Sequence, residues 1–262
     1  MTPRVKRSSG VLTREVRAMG ASLTFLTRLP VSTSRQFSGD DLARGSAIFP
    51  LVGFGIGALT GVVAALASIV FPHLLAASLA VVAGLLLTGA LHVDGLADTA
   101  DGLGACSRER ALAVMRESTI GTYGVAAIVI DLLLRVAALD ALLFDHKVIL
   151  VATLAGGLSR VAPVTLSALL PYARSDGGLG EWIERVSHVR TFAAIALGVG
   201  PAVLLGHFVG LYASIVTLAI IGLLSLFFRR WLGGFTGDAL GGSSELCEIV
   251  VLLVALAIFR GH

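Results

Sequence analysis

Residues 48–71 read IFPLVGFGIGALTGVVAALASIVF, 24 residues in a row without a charge. At a rise of about 1.5 Å per residue, a helix of this length is long enough to cross the roughly 30 Å hydrocarbon core of a bilayer. The rest of the chain repeats the pattern. It is 56% hydrophobic and 14% charged, with a mean hydropathy of +0.90, whereas a soluble domain carries about a quarter charged residues. Apolar runs at 74–91, 125–144, 148–170, 192–206, 209–228 and 246–259 bring the predicted spans to about seven. The runs at 192–206 and 209–228 are each near the minimum length and meet at Gly206 and His207, so they read as two spans or as one merged or re-entrant element. The expected fold is all-α, a polytopic integral membrane bundle forming one domain over residues 1–262.

Orientation follows from Lys and Arg, which cytoplasmic connections retain. Arg4, Lys6, Arg7, Arg14, Arg17, Arg28, Arg35 and Arg44 precede the first run, and Arg108, Arg110 and Arg116 follow the second. Arg174, Arg185 and Arg190 follow the fourth, and Arg229 and Arg230 the sixth, whereas the alternate connections hold only Lys147, with Arg260 at the C-terminal end. The N-terminus is therefore expected inside and the C-terminus outside. Residues 1–44 form a basic cytoplasmic tail in which the short apolar stretch 21–31, interrupted by Arg28, reads as an interfacial helix rather than a secretory signal. Cys106 and Cys247 have no CxxC spacing, so neither a zinc site nor a disulfide framework is indicated. Within the first run, Gly53, Gly57 and Gly61 make a small-residue stripe along which a neighbouring helix can approach closely.

The chemistry-bearing segment is Leu91-His92-Val93-Asp94-Gly95-Leu96-Ala97-Asp98-Thr99-Ala100-Asp101-Gly102, at the end of the second run. Asp94, Asp98 and Asp101 stand at i, i+4 and i+7, so a helix puts them on one face. Three like charges beside a membrane span, with no lysine nearby, are costly without a cation, and hard oxygen donors favour Mg²⁺, Mn²⁺ or Ca²⁺. A carboxylate-held metal with open positions is suited to phosphate oxygens. A second acidic segment, Gly237-Asp238-Ala239-Leu240-Gly241-Gly242-Ser243-Ser244-Glu245-Leu246-Cys247-Glu248, opens the last span. Asp238 and Glu245 are expected to complete the metal set. The glycines there suit either close backbone approach to a ligand or a turn before a helix.

Anion binding is expected to fall to arginine, since the two lysines lie in the tail and on the predicted outside and no GxxxxGK[ST] pattern is present. Arg116, in Met115-Arg116-Glu117-Ser118-Thr119-Ile120-Gly121-Thr122-Tyr123-Gly124, stands before the third run and reads as a bidentate anion binder or a snorkelling interfacial arginine. Arg135 and Arg160 each lie about eleven residues, roughly 15 Å, inside their runs, and a charge at that depth normally faces a partner or a wet cavity. Asp131, four residues before Arg135, accounts for Arg135 as well as a substrate does. Arg160 has no local acid and is the stronger candidate for substrate.

These segments resemble the cobalamin synthase family, also called adenosylcobinamide-GDP ribazoletransferase, over nearly the whole chain. The resemblance runs from Phe25-Leu26-Thr27-Arg28-Leu29-Pro30-Val31 through Arg44-Gly45 and Phe49-Pro50-Leu51-Val52-Gly53. It continues through His92 to Gly102, Met115 to Gly124 and Ser159-Arg160, and ends in Gly233 to Glu245. It implies a multi-pass bacterial inner-membrane enzyme with its active site facing the cytoplasm and Mg²⁺ as cofactor. The implied substrates are adenosylcobinamide-GDP and α-ribazole or its 5′-phosphate, giving adenosylcobalamin or its phosphate and GMP. Asp94, Asp98, Asp101, Asp238 and Glu245 become the expected metal ligands, Asp101 or His92 the base, and Arg116, Arg160, Arg135, Gly95, Gly102 and Gly121 the substrate-binding set. Where the family has an aspartate and a basic residue around the serine, this chain has Glu117 and Thr119, which moves anion binding toward Arg116 or Arg160. Other membrane-bound enzymes of the pathway are expected partners, a homo-oligomer is compatible with the pattern, and no nucleic acid is expected.

Two other readings use the same acids. Asp98-Thr99-Ala100-Asp101-Gly102 opens like the CDP-alcohol phosphotransferase signature, but Ala105-Cys106 stands where that signature has Ala-Arg, and its later aspartates are missing. A transporter would place acids or broken helices near the bilayer midplane, where Asp131 is the main acid here.

Overall fold

The computed structural model describes residues 11–30, 37–174 and 186–260, so Arg4, Lys6, Arg7, Arg35 and Arg185 of the charge asymmetry lie outside the described residues. The described chain is helical: α1 Val11–Leu26, α2 Gly39–Gly45, α3 Phe49–Ala67, α4 His73–Thr88, α5 Leu91–Leu103, α6 Arg108–Val114, α7 Thr122–Phe144, α8 Val148–Ser159, α9 Val161–Leu169, α10 His188–Trp231 and α11 Gly237–Arg260. A 3₁₀ turn, Ser46–Ile48, joins α2 to α3.

Charge and apolarity are inverted relative to a soluble protein. Leu86, Leu133 and Leu204 are more than 60% exposed, while Asp131, Arg135, Arg160 and Glu245 are buried. Such an exterior matches hydrocarbon, not water. Four helical stretches, Gly39–Ala67, Val148–Leu169, His188–Trp231 and Gly237–Arg260, are long and apolar enough to cross a membrane, and the bent pair α4 and α5 makes five. Of the seven expected runs, 125–144 forms α7, which carries Asp131, Arg135 and Asp140 and is not among these stretches, and 192–206 and 209–228 form the two arms of α10.

The glycine stripe of α3 packs on α8. A Cβ on Gly53 or Gly57 would fall onto the backbone carbonyl of Gly156 or Ala152, and one on Gly61 would lie 2.7 Å from the Ile149 Cα. Residue numbers rise along α3 as they fall along α8, so the two are antiparallel. Apolar lipid gives no hydrophobic drive for helix association, and the pair is held by the dispersion that this backbone approach allows.

Three breaks shape the bundle. Pro163 lacks the N–H that would bond the Ser159 carbonyl, so the predicted span 148–170 breaks into α8 and α9 at Arg160. Gly89 (φ 64°) and Ala90 (φ 57°) are both left-handed, and α5 leaves α4 at 91°. At His207 (φ 46°, ψ −120°) α10 doubles back. A Cβ on Gly210 would strike the Ala202 carbonyl, whereas eight residues of straight helix would separate them by about 12 Å. The predicted spans 192–206 and 209–228 are thus separate arms of a helical hairpin. In the tail, the helix is α1, which begins ten residues before the apolar stretch 21–31 and ends within it. Arg17 ties α1 to α2 through Asp41 at 2.8 Å.

The bundle interior holds an ion network. Arg135 of α7 donates to Glu245 and Glu248 of α11, each at 2.6 Å, and lies 3.6 Å from Asp131. Arg160, 2% exposed at the α8–α9 break, donates to Ser159 Oγ at 2.9 Å and pairs with Glu248 at 3.4 Å. Asp131 pairs with Arg135 as expected, and two further acids join it from α11. Two expectations change: Arg160 does have an acid, and Glu245 is engaged by a guanidinium. Sequence separations of 88 to 113 residues hid these pairings.

Two outcomes are expected. Gly57→Ala forces α3 from α8 and should lower stability by about 1–3 kcal/mol. Gly55→Ala, where a Cβ meets nothing within 4 Å, should be neutral or stabilising by up to about 1 kcal/mol. Thermal unfolding in detergent compares the pair. Arg135→Met leaves two buried glutamates without their main cation and should cost about 3–5 kcal/mol on the same assay; an unchanged transition would show the network to be dispensable.

Candidate active site

The 91° turn lays α5 across the bundle against α7 and α11. Asp94, Asp98 and Asp101 all lie on this helix, as their spacing requires. Their surroundings differ. Both Asp101 oxygens accept backbone N–H groups at the start of α7, from Gly121 at 2.7 Å and Gly124 at 2.8 Å. A carboxylate at a helix N-terminus satisfies orphan donors and complements the helix dipole, here from a different helix. A Cβ on Gly121 would sit 2.5 Å from Asp101 Oδ1, so this glycine makes room for the carboxylate.

Asp238 occupies the first turn of α11 and faces α5. Gly95 permits the approach, because a Cβ there would lie 2.7 Å from the Asp238 carbonyl oxygen. Asp98 lies within the electrostatic reach of Asp238, Asp94 and Asp101, with Arg174 as the opposing cation. Arg174 donates to Asp238 at 2.7 Å. Its place is set by a short backbone bridge just upstream: the Ala173 N–H donates to the Phe235 carbonyl at 2.8 Å, and the Phe235 N–H to the Pro171 carbonyl at 2.9 Å. Thr236 caps α11 by accepting the Ala239 N–H at 3.1 Å.

Beside these acids is a cavity of about 210 Å³, lined by Asp94, Asp238, Arg174 and His92 and by aromatic and aliphatic side chains. His92 is 5% exposed, and its Nδ1 has no hydrogen-bond partner among the described residues. A second, more open cavity of about 520 Å³ lies at the far end of α5, lined by Asp101, Gly121, Arg110, Glu117 and Tyr123 among others. Arg110 pairs with Glu117 there at 3.4 Å. Arg116 is exposed at the end of α6 and lines neither cavity. Gly102 is a packing glycine against Met115 and Trp231.

The acids expected to form one metal set are therefore divided. Asp94 and Asp238 line the smaller cavity with Asp98 in electrostatic reach of both, Asp101 holds the 121–124 turn and Glu245 holds Arg135. Among the described residues, no three His, Cys, Asp or Glu side chains stand close enough together to hold an ion as placed. Arg174 and Glu248 join the functional and structural clusters without having been singled out. Arg174 counts in sequence only as a loop charge, and Glu248 is one more acid three residues after Glu245. The contacts that matter for each come from a different helix or loop.

Residues 18–256 match the family model described as cobalamin-5-phosphate synthase. An adenosylcobinamide-GDP ribazoletransferase of Syntrophobacter fumaroxidans is 38% identical over 244 residues, 92% of this chain and 98% of the relative. Proteins of the same name from Azorhizobium caulinodans and Klebsiella pneumoniae are 39% and 38% identical over 93% and 92% of this chain, and 97% and 100% of their own lengths. No solved structure matches the chain. A match over nearly the full length, on a bundle whose apolar exterior suits a bilayer, means that this membrane-embedded transferase belongs to the cobalamin-5-phosphate synthase family.

Proposed function

We propose that the chain joins adenosylcobinamide-GDP to α-ribazole, or to its 5′-phosphate, on the cytoplasmic face of a bacterial inner membrane, releasing GMP. The observation that carries this reading is the convergence of Asp94 and Asp98 from α5 with Asp238 from α11 beside a cavity that also presents Arg174 and His92. Lys and Arg are concentrated in the connections on that side.

In the proposed reaction the acceptor hydroxyl attacks the cobinamide-side phosphorus, a P–O bond forms and the bond from that phosphorus to the GMP oxygen breaks. The three aspartates are hard oxygen donors of the kind Mg²⁺ takes, and Asp94, Asp98 and Asp238 would hold it by drawing closer together than they stand as placed. Bound there, it supplies neutralisation of the pyrophosphate charge and of the charge gathering on departing GMP. Arg174 is placed to orient phosphate oxygens from the opposite side, as a planar fork does well. His92, on the cavity wall with Nδ1 unpartnered, takes the hydroxyl proton. Asp101 acts through position, because its oxygens already hold the turn at Gly121 and Gly124.

GMP release from adenosylcobinamide-GDP by the full chain in detergent or liposomes is expected to require both α-ribazole and Mg²⁺. Asp98→Asn should lower turnover about 100-fold or more, the scale of losing one strong electrostatic contact to the transition state. Release independent of metal and of Asp98 would overturn the site. No release from folded protein with either acceptor would turn the reading toward phosphotransfer to a lipid alcohol.

A further inference from the structure

The cavity of about 210 Å³ is smaller than the roughly 300–1,000 Å³ of pockets that enclose a whole drug-sized ligand. At about 30 Å³ per water it displaces roughly seven waters, the space of one flat ring system. A corrinoid does not fit. Its aromatic and aliphatic lining includes Phe25, Phe49, Leu91, Pro163, Tyr172 and Leu240, contributed by the tail, α3, α5, α9, the loop after α9 and α11. Phe25 and Phe49 are stacked, with ring centroids 5.8 Å apart and planes 17° apart. The polar part of the lining is His92 and Asp94 of α5, Asp238 of α11 and Arg174.

From this aromatic lining beside carboxylates we propose that the cavity is the seat of the acceptor nucleoside's aromatic base, with the ribose hydroxyl directed at the aspartates. The inference rests on the transferase reading and adds which of the two substrates lies here and which residues choose its base. A largely apolar, aromatic wall suits a base recognised by its faces and by alkyl substituents on its ring. Guanine, the other base in the reaction, is recognised through hydrogen bonds at its edge. Both acids on the lining, Asp94 and Asp238, are assigned to the metal in the transferase reading, which leaves neither for a guanine edge. The aromatic side chains thus set lower-ligand choice, and the larger donor lies outside this cavity.

Equilibrium dialysis of labelled α-ribazole against the full chain in detergent, without the donor, tests the assignment apart from turnover. Leu91→Trp, at a position 37% exposed on the rim, and Leu240→Phe, on the wall, both shrink the cavity. Each is expected to weaken α-ribazole binding at least tenfold and to raise its KM similarly, while the KM for adenosylcobinamide-GDP stays within about twofold. Gel filtration checks that both variants remain folded, and inhibition of the unmodified chain by free benzimidazole, competitive with α-ribazole only, supports the site without any variant. Wild-type binding by both folded variants, or competition of benzimidazole or GMP with the wrong partner, would overturn the assignment while GMP release remained intact. Loss of GMP release from the unmodified chain would instead remove the transferase reading, with α-ribazole binding scored separately.

Discussion

Arg135 lies between Glu245 and Glu248 of α11 in an interior where water cannot stand in for a missing partner. The constraint it expresses governs the bundle: every charge taken below the apolar surface must meet an opposite charge or a polar group carried there by another helix. Glu248 extends the pairing to Arg160, so α7, α11 and the α8–α9 break are joined through four side chains. Once α11 is held at Glu245 and Glu248, its first turn must lie about two turns further along the same helix, and Asp238 is brought against α5.

The second element of order is backbone proximity. Side chains too large would hold α3 from α8 and α11 from α5, and glycines remove them at Gly53, Gly57 and Gly95. The same economy of side-chain volume serves different ends. On α3 it increases dispersion between two spans, whereas at Gly95 it brings a carboxylate-bearing turn close to two other carboxylates. Repulsion among Asp94, Asp98 and Asp238 is tolerated because the rest of the bundle holds the two helices together and Arg174 opposes it.

Asp101 illustrates how identical residues on one helix face separate in role. Helical spacing places it with Asp94 and Asp98, yet the N-terminus of α7 offers two backbone donors within reach, and the carboxylate turns to them. The result couples α5 to α7 at the opposite end from the small cavity. Arg174 is placed by equally local means: two backbone hydrogen bonds between the strand-like residues around Tyr172 and Phe235 carry it to Asp238.

Hydropathy, the Gly53–Gly57–Gly61 stripe and the Asp94–Asp98–Asp101 spacing were sufficient to read a helical membrane bundle, a close helix pair and an acidic helix, because each depends on periodicity within one element. The segment Gly237 to Glu248 likewise marked where an acidic helix begins, but not how its acids would be divided. Partner choice lay beyond such reading. Arg160 looked acid-free because Glu248 is 88 residues away, Glu245 looked available because Arg135 is 110 residues away, and the reversal at His207 rests on a single residue's dihedral angles. Periodicity is a local property written in neighbouring residues, whereas the pairing of charges in a low-dielectric interior is decided only when distant helices meet.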